Sequence, residues 1–168
     1  AEAAATVDAA TGLASRRLFD DVIGRELKRA RRTERPIALA VAEIDYFDRY
    51  ESSFGRQAAE GLLQAIAKLF TAQVRDTDLL VRFAPGRLAI LMPETDMDKG
   101  AEIAEWIRSM VANSPLPNRA EMPGGRITVS IGVGAFPAPV ADAAAFLGAV
   151  EAALAAAATE RNRMRAAQ

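Results

Sequence analysis

Ile37-Ala38-Leu39-Ala40-Val41-Ala42-Glu43-Ile44-Asp45 is the stretch on which the fold turns. A near-continuous apolar run entered from Pro36 and ending in an acid is expected of a central strand covered on both faces. Carboxylates gather where it ends. Upstream, Phe19, Val22, Ile23, Leu27 and Ala30 recur at three and four, which predicts an amphipathic helix over residues 15–33 capped by Ser15. Its outer face is basic, with Arg25, Lys28, Arg29, Arg31, Arg32 and Arg35. Downstream, Ala59, Leu62, Leu63, Ile66, Ala67 and Phe70 lie on one stripe of a second long helix, predicted over residues 53–74.

Beyond that helix, residues 79–83 and 87–92 flank Ala84-Pro85-Gly86, where Pro suits the second and Gly the third position of a type II turn. The pair reads as a hairpin. A third helix is predicted over residues 98–111. In residues 126–136, Ile127, Val129, Ile131 and Val133 alternate with Thr128, Ser130, Gly132 and Gly134, the pattern of a half-buried strand. A final helix runs from about Ala141 to Arg163. The order helix, strand, helix, hairpin, helix, strand, helix makes an α/β layer fold with a mixed sheet. Residues 1–10 are Ala-rich without an apolar period and read as a linker or the end of an incoming helix, which leaves residues 11–168 as one domain.

Composition narrows the chemistry. The chain has 168 residues, enough for one domain with a sizeable core, and 21 Lys+Arg against 22 Asp+Glu, a formal net charge of −1. With no cysteine and no histidine, it lacks a thiolate nucleophile, a Ser-His-Asp triad and any Cys/His zinc cage. Any metal site must use oxygens. A near-zero charge offers no global field for nucleic acid or an anionic membrane, and Glu26 and Glu34 interleave the basic helix face as on a solvated surface. The apolar stretch from Ala143 to Ala158 is interrupted by Glu151 and is short for a membrane span. The chain opens on Ala rather than Met, as a piece of a longer protein does.

Asp8-Ala9-Ala10-Thr11-Gly12-Leu13, with Arg16-Arg17 and Phe19, is similar to the entry motif of the bacterial GGDEF domains, which are diguanylate cyclases or their degenerate relatives. The resemblance continues through Glu43-Ile44-Asp45-Tyr46-Phe47, Gly55, Arg82, Pro93, Val129-Ser130-Ile131-Gly132-Val133 and Arg161-Asn162-Arg163. Each motif alone is weak; in order and at family spacing they are specific. The resemblance implies a nucleotide-cyclase-like palm, with a central, largely antiparallel mixed sheet flanked by helices. It also implies that two such domains face each other to join two GTP molecules into cyclic di-GMP with a divalent metal. Glu43 matches one metal-ligand position.

The signature turn departs from the family. Gly-Gly-Asp/Glu-Glu-Phe is replaced by Ala84-Pro85-Gly86-Arg87-Leu88, so Gly86 stands where the second metal carboxylate belongs and Arg87 replaces its acidic neighbour. Pro85 also removes an N–H and fixes φ. Glu51 stands at the family's guanine-reading Asn, Glu60 at its Asp, and Ala157 at a phosphate-contacting Lys, while Arg161 is retained. Ionised Glu51 cannot donate to guanine O6 or N7. The expectation is therefore no catalytic residue, no required cofactor and no catalytically useful Mg²⁺.

Arg75-Asp76-Thr77-Asp78 retains the family's R-x-x-D mark of a second nucleotide site, used for product inhibition, at the family's spacing from Ala84. A guanidinium can fork onto guanine O6/N7 or a phosphate, and a carboxylate can accept from guanine N1–H and N2–H₂. The plainer reading puts Arg75 at a helix C-terminus and makes Asp78 a turn cap. Trp106 stands where family members with this site often carry an Arg; it can stack on a guanine or pack, and Arg108 nearby is a candidate substitute. The resemblance thus implies a bacterial, cytoplasmic, non-catalytic cyclic di-GMP receptor, working as a homodimer or ligand-linked dimer and reaching a protein partner through upstream domains. The alternatives are a ligand-independent dimerisation or docking module, a GTP sensor using Glu60 and Arg161, and an active cyclase.

Overall fold

In a computed structural model of the chain, residues 6–136 and 142–167 are described. The apolar run at 37–44 forms β1 (Ile37–Ile44), the middle of a five-stranded sheet ordered β2-β3-β1-β4-β5. Its neighbours are β3 (Arg87–Pro93) and β4 (Val129–Phe136), both antiparallel to it. Beside β3 lies β2 (Leu79–Ala84), antiparallel; beside β4 lies β5 (Met164–Ala166), parallel. The sheet is mixed and largely antiparallel, as expected.

Helices cover both faces, which is why β1 is apolar at every position but Glu43, near its end. On one face Ala38, Ala40, Ala42 and Ile44 pack with α2 (Phe47–Phe54), α3 (Arg56–Thr71) and α4 (Met97–Asn113). On the other, Ile37, Leu39 and Val41 pack with α1 (Arg16–Thr33) and α5 (Ala143–Glu160). Ser15 caps α1 as predicted, accepting from the Leu18 N–H. By length and composition α5 is apolar enough to cross a membrane; in this fold it lays Phe146, Val150 and Leu154 on the sheet.

Several boundaries differ from the sequence reading. The predicted helix over 53–74 is two helices broken at Gly55, whose φ of 91° no helix interior allows, and the second ends at Thr71. Arg75 is consequently in a turn rather than at a helix end. The strand predicted from 126 starts at Val129 and is covered on both faces instead of half-buried. A Cβ on Gly132 would lie 2.5 Å from the Leu154 nitrogen and the Val150 oxygen, so the glycine face is where the α5 backbone seats. The last helix ends at Glu160, three residues early, and the chain then forms β5, which no pattern predicted; its expected start, Ala141, lies outside the described residues. Residues 6–10 are not a helix end: Val7 bridges Ala14, and Ala14 in turn bridges Val81 of β2.

Candidate functional site

The β2–β3 hairpin carries a charged cluster at each end. At the turn, Ala84 pairs with Arg87 around Pro85 and Gly86, and Gly86 lacks the positive φ that a type II turn needs at its third position. Glycine answers a different constraint here. A Cβ at Gly86 would lie 2.7 Å from Cδ2 of the Phe47 ring. The ring therefore fills the space into which a third-position side chain would grow.

Antiparallel register puts Glu43 of β1 directly opposite Arg87 of β3, and the Arg87 Nε donates to Glu43 Oε1 at 3.2 Å. The position matching a metal ligand thus holds an ion pair. Asp45 is buried and accepts from the Thr128 hydroxyl at 2.7 Å, the Ser130 hydroxyl at 2.7 Å and the Asn162 N–H at 2.8 Å. Of the oxygen ligands a cation would draw on here, one carboxylate is paired with a guanidinium, one is committed to three hydrogen bonds, and Gly86 supplies none.

The family resemblance assigns the Glu60 oxygens to guanine. Instead Arg82 forks onto both of them, Nη1 to Oε2 at 2.6 Å and Nη2 to Oε1 at 2.7 Å, and also donates to the Pro85 carbonyl at 3.0 Å. Asp8 joins the cluster, 3.4 Å from Arg82 and accepting from the Thr11 hydroxyl at 2.7 Å. Burial pushes the Asp8 carboxyl up, but the Thr11 hydroxyl and amide and the Arg82 charge outweigh it and hold the group below its ordinary value. Glu51, Arg56, Glu60, Arg82, Ala84 and Pro85 line a cleft of about 680 Å³. Leu88 is in the core, and Ala157 is fully buried, where it offers nothing to a phosphate. Arg161, at φ 62°, lies over the Tyr46 ring at 4.1 Å.

The other end of the hairpin, roughly 17 Å away along a six-residue strand, holds Arg75 and Asp78. The Asp78 carboxylate accepts from the Arg75 N–H at 2.8 Å and from Arg75 Nη2 at 2.8 Å. That same Nη2 donates to the Pro93 carbonyl at 2.7 Å and to Thr95 Oγ1 at 2.9 Å. The Asp78 side chain is only 4% exposed, whereas Arg75 is 51% exposed. The Asp78 hydrogen bond raises the Arg75 guanidinium above its already high value.

Trp106 is on α4 and 44% exposed. Arg108 does not serve Arg75. Its Nε binds Glu105 at 2.9 Å and its Nη1 donates to Asn162 Oδ1 at 2.7 Å, at the corner where the chain enters β5. The Arg108 hydrogen bond also holds Glu105 below its usual value. Among the described residues no hydrogen bond or ion pair joins Trp106 or Arg108 to Arg75 or Asp78. Sequence reasoning missed the partners rather than the residues: Arg82 for Glu60, Arg87 for Glu43, Phe47 for the turn, and Thr95 for Arg75. The register of Ile37 opposite Pro93 is what brings Thr95 to the Pro36 carbonyl, and no pattern in the sequence announces that register or the ion pairs.

A mixed sheet in this strand order, with helices on both faces and a hairpin turn beside the end of the central strand, defines a nucleotide-cyclase-like palm. The family model for the diguanylate cyclase GGDEF domain matches residues 5–164, and the chain belongs to that family. It is 31% identical over 142 residues to the diguanylate cyclase DgcP of Pseudomonas aeruginosa, covering 84% of this chain and 21% of that protein. With the response regulator PleD of Caulobacter vibrioides it shares 30% identity over 131 residues, 78% of this chain and 29% of that one. The chain thus spans less than a third of either relative. The GGDEF domain of DgcB from Caulobacter crescentus, solved in complex with c-di-GMP, superposes with a TM-score of 0.88 at 27% identity, covering 100% of this chain and 96% of that one. The active GGEEF domain of a Vibrio cholerae diguanylate cyclase superposes with a TM-score of 0.82 at 25% identity, covering 93% and 97%.

Proposed function

We propose that this chain is a non-catalytic GGDEF domain that binds cyclic di-GMP through Arg75, as a receptor module within a larger bacterial, cytoplasmic signalling protein. The observation that carries the reading is the contrast between the two charged clusters. At the turn, Gly86 supplies no carboxylate, Arg87 neutralises Glu43 and Arg82 occupies Glu60. At the far end Arg75 keeps half its surface in solvent. The c-di-GMP complex of DgcB supports the ligand class. Binding through an exposed guanidinium also suits a ligand with two guanines and two phosphates, which can join two copies of the domain or dock one on a partner.

Calorimetric titration with cyclic di-GMP, with GTP plus Mg²⁺ in a parallel cell, tests the reading. Binding of cyclic di-GMP alone, lost in Arg75→Ala, is the expected result; Trp106, the one tryptophan in the chain, gives an independent fluorescence signal. Product formed from GTP, or cyclic di-GMP bound equally well by Arg75→Ala, overturns it. The second reading, a ligand-independent dimerisation or docking module, is favoured by the burial of Asp78. It predicts no heat from either nucleotide.

A further inference from the structure

A guanidinium has five N–H donors, one on Nε and two on each terminal nitrogen. In Arg75 the Nε is engaged by Asp78, and Nη2 faces three acceptors at once: Asp78 Oδ1, the Pro93 carbonyl and Thr95 Oγ1. Nη1 has no partner among the described residues. Forked recognition of a phosphate or of guanine O6/N7 uses two neighbouring nitrogens, and each such edge that includes a terminal pair or the Nε side needs Nη2. A ligand therefore competes for Nη2 with the protein itself.

The competing acceptors sit on a corner that holds two other parts of the fold together. Thr95 is buried, and its hydroxyl also donates to the Pro93 carbonyl at 3.0 Å while its N–H donates to the Pro36 carbonyl at 3.2 Å. Glu94 between them has a left-handed φ of 53° and pairs with Arg35. Arg35 follows Glu34, the C-cap of α1, and its N–H donates back to the Ala30 carbonyl at 3.1 Å. The same corner walls a groove of about 740 Å³ bounded by Arg29, Arg35, Ile37, Thr77, Pro93 and Glu94.

We propose that Thr95 and the Pro93 carbonyl form a latch that competes with ligand for Arg75, so that ligand capture frees the β3–α4 corner and loosens its hold on the end of α1. This rests on the reading that Arg75 binds cyclic di-GMP. Thr95 is then an affinity-setting residue that never touches the ligand, and α1 is the element that receives the signal.

The test is calorimetry with cyclic di-GMP on the parent, Thr95→Val, Arg35→Gln and Arg75→Ala, together with amide hydrogen exchange with and without the same ligand. Thr95→Val keeps the side-chain shape and removes one competing acceptor, so it is expected to bind roughly five-fold tighter. In the parent, ligand is expected to speed exchange at the Thr95 amide and at the amides of residues 34, 35 and 37; in Arg35→Gln, which is already released from Glu94, the response at residues 34–35 is expected to be lost. Where the parent binds but Thr95→Val binds no tighter and the Thr95 amide is unchanged or slowed, the latch is overturned and the receptor reading stands. Where the parent binds nothing, or Arg75→Ala binds equally well, the receptor reading itself falls and the latch with it. If Thr95→Val does not fold, the exchange result on the parent decides.

Discussion

The two ends of the β2–β3 hairpin both carry charged side chains but resolve them in opposite ways. At the turn two acidic groups that family likeness ties to nucleotide or metal chemistry have an internal partner from a different element, Glu43 from β3 and Glu60 from β2, with Phe47 filling the space in front of Gly86. At the far end the ion pair is local, three residues apart in sequence, and the cation, though it also reaches Pro93 and Thr95, still faces solvent. Interactions spread over several elements are paid for by folding and are hard to reopen, whereas a half-exposed guanidinium on a corner exchanges one acceptor for another at little cost. On the proposed reading, a catalytic end closed by internal pairing and a ligand-binding end left open to solvent coexist on one hairpin.

Mutations that treat both ends alike test the contrast. Arg82→Ala is expected to have the largest effect, about 3 kcal/mol of unfolding free energy in a urea titration, because it strands Glu60 with no partner for either oxygen. Restoring acidic residues at the turn, Gly86→Glu with Arg87→Glu, is expected to cost about 2 kcal/mol through the Phe47 clash and to give no product from GTP. Recovery of cyclase activity in that double variant erases the distinction between the two ends. Arg75→Ala is expected to cost about 1.5 kcal/mol while removing cyclic di-GMP binding, since the buried Asp78 carboxylate keeps the backbone N–H of residue 75 as a donor. A loss as large as that of Arg82→Ala makes Arg75 a structural residue like Arg82.

The smallest effect concerns pH. The folded Asp8 carboxyl is held below its unfolded value, so the stability it contributes is present above the ordinary carboxylate range and is lost as pH falls through the folded value. Asp8→Asn is expected to flatten the acid side of the melting-temperature profile below about pH 4 and to leave its neutral side nearly unchanged. An unaltered acid slope removes Asp8 from the turn cluster.

Much of this fold is legible in the residues themselves. The near-continuous apolar run at 37–44 announces a strand covered on both faces, because only burial above and below removes the need for alternation. The three-and-four spacing from Phe19 to Ala30 announces α1 for the same physical reason at a different period. Neither α2 nor the break at Gly55 is legible, since the helical stripe read from the sequence begins only at Ala59 and the backbone torsion alone reveals the break. Nor is β5, whose three residues carry no pattern and which exists because Asp45 draws in the Asn162 N–H. Gly132 and Gly134 imitate the polar face of a half-buried strand, though glycine there marks close approach of a helix.

The same division runs through the site. Residue identity alone determined that the turn lacks a second carboxylate, that no histidine or cysteine chemistry is available, and that Arg75 and Asp78 persist at family spacing. These are properties of composition and local order, which the chain carries unfolded. Which charge neutralises which was decided by the tertiary structure, because Glu43 meets Arg87, and Arg82 meets Glu60, only when strand register and helix packing bring residues 44 and 22 positions apart within hydrogen-bond reach.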